Sequence, residues 1–338
     1  MSAPASGAAD FPFEEHLRFG PGDDGTHEPG PNRDWTETTW WSFHVPERTL
    51  AGWLYVQMRP NLGTASGGAF VYDQSAWLPW ELPYFGFTRF QAIPDPLDLR
   101  DARFPNGVWV RCLESGTRYD VGYQFRDHTD FTADLHFAGI IPPVPHLRGA
   151  PPFTGSTHFD QPGRVTGTVQ LLGERIDVDC VSVRDRSWGR RPELLGRTPR
   201  LSYAFGSASE GESFLVFCAP DDPDGQVEHL TSGYLLRDSR VRRLVSATRR
   251  TTRDPVTGGV SRIELTGTDA DGRALEVAGE ARSRMFFPGH SLTINTFIEW
   301  SGDGLQAWGE DQDVWSAAGF AGRVRDREGV GHAGPRRR

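Results

Sequence analysis

The chain alternates apolar and polar residues over short stretches, and this pattern predicts β-strands rather than helices. One stretch places four apolar side chains on one face: Tyr119, Val121, Tyr123 and Phe125. Alternate side chains of an extended strand point to the same side, so each stretch has one apolar face. Similar stretches recur at hairpin spacing from Thr36 to Trp300, separated by turns rich in glycine, proline and aspartate.

Each half of the chain contains about eight such stretches and lacks the helix-length segments of βαβ units. The pattern therefore predicts an all-β protein with two antiparallel β-barrels or sandwiches packed together. We expect a loose N-terminal arm over residues 1–33, a first barrel over 34–182, a second over 183–321, and a flexible basic tail over 322–338.

Composition supports this fold and excludes several functions. The chain has 338 residues, enough for two domains, with 12% aromatic residues, 39 glycines and 25 prolines. The formal charge of −9 argues against a nucleic acid partner, because such a partner requires a basic surface. All 36 basic residues are arginine, so no Schiff-base or P-loop lysine is present.

The N-terminus and the cysteines indicate the compartment. The first ten residues lack the basic start and apolar core of a signal peptide, and no apolar run reaches the ~18 residues that a membrane span needs. Cys112, Cys180 and Cys218 are far apart and form no CxxC pair, which is typical of buried, reduced thiols. These features predict a cytoplasmic protein with no membrane span.

A first concentration of charge lies at 181–192, where a β-type run enters a cluster of one aspartate, several arginines and a tryptophan. In an extended chain, Asp185 and Ser187 face one way, and Arg186 and Trp188 face the other. In one interpretation Trp188 forms a pocket wall and Asp185 joins a polar network with an arginine. In the other, the cluster is a structural ion pair between domains, capped by tryptophan.

A second concentration lies at 306–315, where Trp308 and Trp315 flank three carboxylates: Glu310, Asp311 and Asp313. Crowded carboxylates repel one another, and this repulsion can raise one pKa enough to produce a general acid. A salt-bridge network with the arginines at 184–191 is the alternative. The segment lacks the spacing of an EF-hand calcium loop.

No motif indicates a metal or a cofactor. His290 opens an apolar strand and could lie at a pocket mouth, but HExxH spacing is absent. The chain also lacks GxSxG, P-loop and GxGxxG motifs. We therefore expect neither a metal site nor a bound cofactor.

The segment Val183-Arg184-Asp185-Arg186-Ser187-Trp188-Gly189, together with the two-part all-β pattern, resembles the tandem lipocalin-like superfamily of AttH-type proteins and carotenoid 1,2-hydratases. Bacterial proteins with a paired domain of unknown function are more similar still, because they also end in a segment like 309–315. The resemblance implies two lipocalin-like barrels with a lipophilic cavity in or between them. In the hydratases, a histidine occupies the position of Arg186, and arginine cannot shuttle protons.

Two functions follow from this resemblance. The first is an enzyme that binds an isoprenoid-like or steroid-like olefin and catalyses acid-assisted hydration, isomerisation or cyclisation, with Asp185, Glu310, Asp311 or Asp313 as the acid. Its ligand-binding residues would be Arg186, Trp188, Tyr203, His290, Trp308 and Trp315. The second is a lipophile carrier without catalysis, which needs an apolar cavity but no poised acid.

Overall fold

The structure, a computed structural model, describes residues 19–125, 130–192, 200–222, 225–289 and 291–325. Most of these residues lie in β-strands, which are arranged in two antiparallel units, so the predicted all-β class is confirmed. No helix in these ranges has the length and apolar character needed to cross a membrane.

The first unit is one curled antiparallel sheet. Its strands are β1 Trp35–Val45, β2 Leu50–Arg59, β3 Thr64–Tyr72, β4 Tyr84–Ala92, β5 Asp101–Arg103, β6 Val108–Glu114, β7 Arg118–Gln124, β8 Phe131–Gly139, β9 Val144–Pro145, β10 Ser156–Leu171 and β11 Glu174–Arg190. They are ordered β4-β3-β2-β1-β11-β10-β8-β7-β6-β5, and β9 pairs with β10. Three short 3-10 helices, Pro21–Asp24, Pro46–Arg48 and Pro60–Leu62, lie before or between the strands.

This sheet is a half-barrel, because its end strands β4 and β5 do not pair with each other in the described structure. The segment that joins them contains Pro94 and Pro96, which lack the N–H donors that a strand ladder needs. Near the open side, the hydroxyls of Tyr84 and Tyr123 form a hydrogen bond of 2.7 Å. The two predicted β-units are therefore a half-barrel and, in the second unit, a closed barrel.

The second unit is a closed eight-stranded barrel in which β19 returns to pair with β12. Its elements are β12 Leu201–Ser209, β13 Glu212–Ala219, β14 Val227–Arg237, β15 Arg240–Arg253, β16 Val260–Asp269, β17 Ala274–Pro288, β18 Leu292–Gly302, β19 Leu305–Trp315 and the helix α1 Ala317–Arg325. Apolar side chains such as Phe214, Leu244, Ile298 and Trp300 pack together inside it. The barrel interior is thus a packed core.

The expected boundary at residue 183 falls inside the first unit. Strand β11 continues through residue 190, pairing with β10 along almost its whole length and with β1 over residues 184–190. The charges at 184–186 lie inside this strand and the protein satisfies them internally, because Arg184 and Arg186 are buried and hydrogen-bonded. The second unit begins at Leu201, beyond a segment outside the described residues.

Both expected flexible ends are partly ordered. Residues 19–33 of the N-terminal arm include Asp24, which is buried and accepts a hydrogen bond of 2.5 Å from the Tyr119 hydroxyl. At the other end, α1 extends through residues 322–325, the start of the expected tail. Each end is held by side chains, because Asp24 binds polar groups and Phe320 packs against Trp315. Residues 1–18 and 326–338 lie outside the described ranges.

Candidate functional site

The two units meet in a buried aromatic layer, which we call the junction layer. One face of the first sheet contributes Trp40 and Trp53, and the outer face of the barrel contributes Tyr203 and Phe205. The Trp40 ring stands edge-on to Trp53 and to Tyr203, at centroid distances of 5.6 and 6.1 Å. Aromatic surroundings with a few polar groups are typical of sites for lipophilic small molecules.

Two carboxyl groups enter this layer side by side, and we call them the acid pair. Asp160 on β10 lies directly opposite Asp185 on β11, and Trp40 on β1 is the next residue across. Directly opposed residues of neighbouring strands share a face, so both carboxyls point towards the barrel. Asp160 accepts a hydrogen bond of 3.1 Å from the Tyr203 hydroxyl and lies 3.1 Å from Nε2 of His158.

The acid pair retains protons more readily than ordinary aspartates do. Burial raises the pKa of Asp185 to about 7, with Asp160 adding to the rise and His158 opposing it. Burial also raises the pKa of Asp160 well above its usual range. The same burial lowers the pKa of His158 to about 4, so that imidazole is neutral at pH 7.

Glu310 forms a second polar group in the junction layer. Its Oε2 accepts hydrogen bonds from Trp53 Nε1 at 2.7 Å and from Asn295 Nδ2 at 2.9 Å. Asn295 also donates to the Tyr72 hydroxyl at 2.6 Å. Burial raises the pKa of Glu310 to about 7, although the polar groups of Asn295, Trp53 and Tyr72 favour the ionised form. Trp53 and Tyr72 belong to the first unit, so this group bridges the two units.

Several buried polar atoms of the junction layer have no hydrogen-bond partner: Trp40 Nε1, His158 Nδ1, Asn295 Oδ1 and Glu310 Oε1. Native proteins satisfy nearly all buried polar atoms, because an unpaired one costs about 1–3 kcal/mol. These four atoms are therefore positions in this layer where a polar group of a ligand, or a water molecule, can form a hydrogen bond.

Asp311 and Asp313 lie apart from this layer. Both point into the barrel, where Asp311 pairs with Arg249 at 2.7 Å and Asp313 pairs with Arg253 at 2.5 Å. Burial raises the pKa of Asp311 to about 6 against the effect of Arg249, whereas nearby arginines overcome burial and lower the pKa of Asp313 to about 2. The expected network with the arginines at 184–191 is wrong, because β15 supplies these partners.

Arg186 and Trp188 lie on the opposite face of β11 from the acid pair. Arg186 donates hydrogen bonds to Glu37 and to the backbone carbonyl of Gly25, and His27 stacks on Trp188 at 3.8 Å. The N-terminal segment therefore covers this face. A small pocket of about 80 Å³ lies on that side, lined by residues that include Phe19, Asp24, Phe159 and Arg184.

The other predicted ligand-binding residues are dispersed. Tyr203 lies in the junction layer, and Trp308 stacks on Phe297 at the edge of the layer, with a centroid distance of 5.0 Å. Trp315 lies elsewhere, at the end of the barrel between Phe286 and Phe320. His290 lies outside the described residues.

Sequence reasoning missed four polar residues of the junction layer: Tyr72, His158, Asp160 and Asn295. The spacing of His158 and Asp160 in β10 is a usable signal, because residues two apart share a face. Tyr72 and Asn295 carry no such signal, since only the packing of the two units brings them to Glu310.

The acid pair and His158 also form a group that could hold a metal ion. Ligand atoms of His158, Asp160 and Asp185 all lie within 4.8 Å of one another. One imidazole and two carboxylates are a donor set that zinc and other divalent transition metals accept.

The chain is similar in structure to several solved proteins. An AttH-like protein from Nitrosomonas europaea is 15% identical, with a TM-score of 0.56 over 90% of this chain and 98% of that one. Kievitone hydratase from Nectria haematococca is 11% identical, with a TM-score of 0.48 over 85% and 90% of the two chains. CghA, solved with Sch210972, is 14% identical, with a TM-score of 0.47 over 84% and 89%.

The similarity to the AttH-like protein confirms the tandem lipocalin-like fold that the sequence predicts. No curated protein is significantly similar in sequence to this chain. A family model described as a domain of unknown function, DUF7064, matches residues 20–311. The chain therefore belongs to the DUF7064 family.

Proposed function

We propose that this protein is an enzyme that donates a proton from the acid pair to an unsaturated lipophilic substrate bound in the junction layer. The reaction class is acid-assisted hydration, isomerisation or cyclisation of an isoprenoid-like or steroid-like olefin. Asp185 is the proton donor, and Asp160 is the neighbouring group that holds the pair's remaining proton. Tyr203 positions Asp160 through its hydrogen bond.

One observation carries this proposal: the buried carboxyl of Asp160 and the partly buried carboxyl of Asp185 face each other without an arginine within ion-pair distance, among the described residues. Structural carboxylates of this protein are paired differently, as the bonds of Asp311 to Arg249 show. A carboxyl that lacks such a partner in an apolar layer retains its proton near neutral pH. A pKa near the working pH is what general acid catalysis requires.

The chemistry follows from the aromatic surroundings. The Asp185 hydroxyl gives its proton to one carbon of a C=C bond, whose electron pair forms the new C–H bond. The resulting carbocation would be stabilised by the faces of Trp40 and Tyr203, which also exclude bulk water. Loss of a neighbouring proton to the Asp185 carboxylate completes an isomerisation. In a hydration, water attacks the cation and the resulting oxonium ion returns a proton to this carboxylate. In a cyclisation, a second C=C bond of the substrate attacks the cation, and the new cation then loses a proton to the same carboxylate.

Deuterium incorporation tests the proposal. Unsaturated terpenoids and sterols are incubated with the protein in D₂O, and mass spectrometry measures deuterium bound to carbon. We expect incorporation with the wild type and a loss of at least 100-fold with Asp185→Asn. The matched control is Asp179→Asn, on the same strand, where the side chain is exposed and paired with Arg164.

The carrier function predicts a different outcome. A carrier would bind these lipids through the same aromatic layer, with no incorporation of deuterium by any variant. Incorporation that is unchanged in both Asp185→Asn and Asp160→Asn would rule out the acid pair as the donor.

A further inference from the structure

The group around Glu310 has a feature that its role in joining the units does not explain. Oε2 of Glu310 accepts hydrogen bonds from Trp53 and Asn295, while Oε1 of the same carboxyl is buried and has no hydrogen-bond partner. Oδ1 of Asn295 is buried and unpartnered as well. Because Asn295 and Glu310 are hydrogen-bonded to each other, these two oxygens belong to one small region of the junction layer.

We propose that Glu310 and Asn295 bind a hydroxyl group of the substrate, so that the ligand is a lipophilic alcohol. This inference rests on the proposed function and adds the substrate class. Oδ1 of Asn295 requires a donor from the ligand, since an amide oxygen can only accept.

The protonation of Glu310 narrows the choice of ligand group. Its pKa of about 7 means that Oε1 accepts a hydrogen bond in one state and donates one in the other. When Glu310 is protonated, one hydroxyl satisfies both groups, because it donates its single hydrogen to Oδ1 of Asn295 and accepts one from Oε1 of Glu310. An ether or a ketone lacks the donor, and an ammonium group lacks the acceptor.

The position of this group also fits one ligand that reaches both polar sites. Tyr203, which binds Asp160, and Phe205 are two residues apart on the same face of β12, or about 7 Å along the strand. Phe205 lies directly opposite Glu310 on β19. A ligand hydroxyl at Glu310 would therefore leave the carbon skeleton extending along the aromatic layer towards the acid pair.

Farnesol and farnesyl methyl ether test this inference, because they differ by replacement of the hydroxyl proton with a methyl group. Binding is measured by the quenching of tryptophan fluorescence. We expect farnesol to bind the wild type at least tenfold more tightly than the ether, because a buried site built for a donor rejects an analogue that lacks it. Equal affinities, or no binding of farnesol, would overturn the assignment.

Glu310→Gln sharpens the test. The glutamine carbonyl can keep the bonds from Trp53 and Asn295, while its NH₂ group replaces Oε1 with an obligatory donor. Because this donor takes the place of the protonated Oε1 and Oδ1 of Asn295 still requires a donor, we expect Glu310→Gln to keep the preference for farnesol over the ether. Asn295→Leu removes Oδ1, so we expect the preference to fall below about threefold in that variant. Glu276→Gln, at an exposed position of β17, is the control and should keep the full preference.

Different results would contradict the proposed acid catalysis and the proposed hydroxyl site. A tenfold preference for farnesol without deuterium incorporation would support the hydroxyl site in a carrier protein. Incorporation without any preference would support the acid pair and reject the hydroxyl site. The ligand comparison on the wild type decides the matter even if Asn295→Leu does not fold.

Discussion

Asp185 destabilises the fold at the pH where we propose that it works. Its pKa in the folded protein is about 7, whereas an unfolded aspartate has a pKa near 3.8. The folded state therefore binds more protons than the unfolded state between these values, and stability falls as pH rises through this window. Functional groups often carry such a cost, because selection for activity keeps them in place.

Asp185→Asn should therefore stabilise the protein at high pH. Asparagine has a similar shape but does not ionise, so we expect its Tm to exceed that of the wild type by roughly 2–6 °C at pH 8. At pH 4 the two proteins should melt within about 1 °C of each other. Differential scanning calorimetry measures both values, with Asp179→Asn as the control. A lower Tm for Asp185→Asn at pH 8 would contradict the proposed environment of this carboxyl.

The contact between Asp160 and Asp185 could have been predicted from the sequence. The turn at 172–173 pairs Leu171 with Glu174 in an antiparallel hairpin. In this register, the residue eleven positions before Leu171 lies opposite the residue eleven positions after Glu174, and these two residues are Asp160 and Asp185. Glu310 was identified as a candidate acid, but its partners Tyr72 and Asn295 depend on packing between distant strands.

At the scale of single elements, β11 has two polar faces with different tasks. Asp185 faces the barrel, whereas Arg184 and Arg186 face the N-terminal segment. Alternation in the sequence correctly separates Asp185 from Arg186 and Trp188, but it cannot tell which face meets the second unit. The glycines and prolines of residues 1–33 predict a loose arm, and nothing in this pattern indicates that Asp24 is buried and hydrogen-bonded.

The N-terminal segment should contribute to stability through Asp24. Its carboxylate accepts hydrogen bonds from Tyr119, Ser115 and the backbone of Gly116, and it lies 3.8 Å from buried Arg184. We expect Asp24→Ala to lower the free energy of unfolding by about 3 kcal/mol, because it leaves a buried arginine without its counter-charge. Urea denaturation measures this loss.

The control for this prediction is Asp98→Ala. Asp98 pairs with Arg100 at 2.8 Å, but both side chains are exposed. Exposed ion pairs contribute about 0–1 kcal/mol, so the urea midpoint should barely change. Equal losses for Asp24→Ala and Asp98→Ala would indicate that the segment is not anchored as described.

At the scale of the whole molecule, the sequence predicts the all-β class and the two units but not their closure. Alternating stretches in the sequence predict individual strands, whereas closure depends on whether the first and last strands of a sheet pair with each other. Strands β12 and β19 pair in the second unit, but β4 and β5 do not pair in the first. The partners of Asp311 and Asp313 were misassigned for a similar reason. Arg249 and Arg253 lie about 60 residues away and meet these carboxylates only because the barrel closes.

The central claim is that the acid pair retains a proton at neutral pH between the two units. Infrared difference spectroscopy tests it most directly, because a protonated carboxyl has a carbonyl stretch that a carboxylate lacks. At pH 7 we predict this band in the wild type and in Asp179→Asn, with clear loss of intensity in Asp185→Asn and in Asp160→Asn. A spectrum at pH 7 without the band, or with the same intensity in all four proteins, would contradict the account.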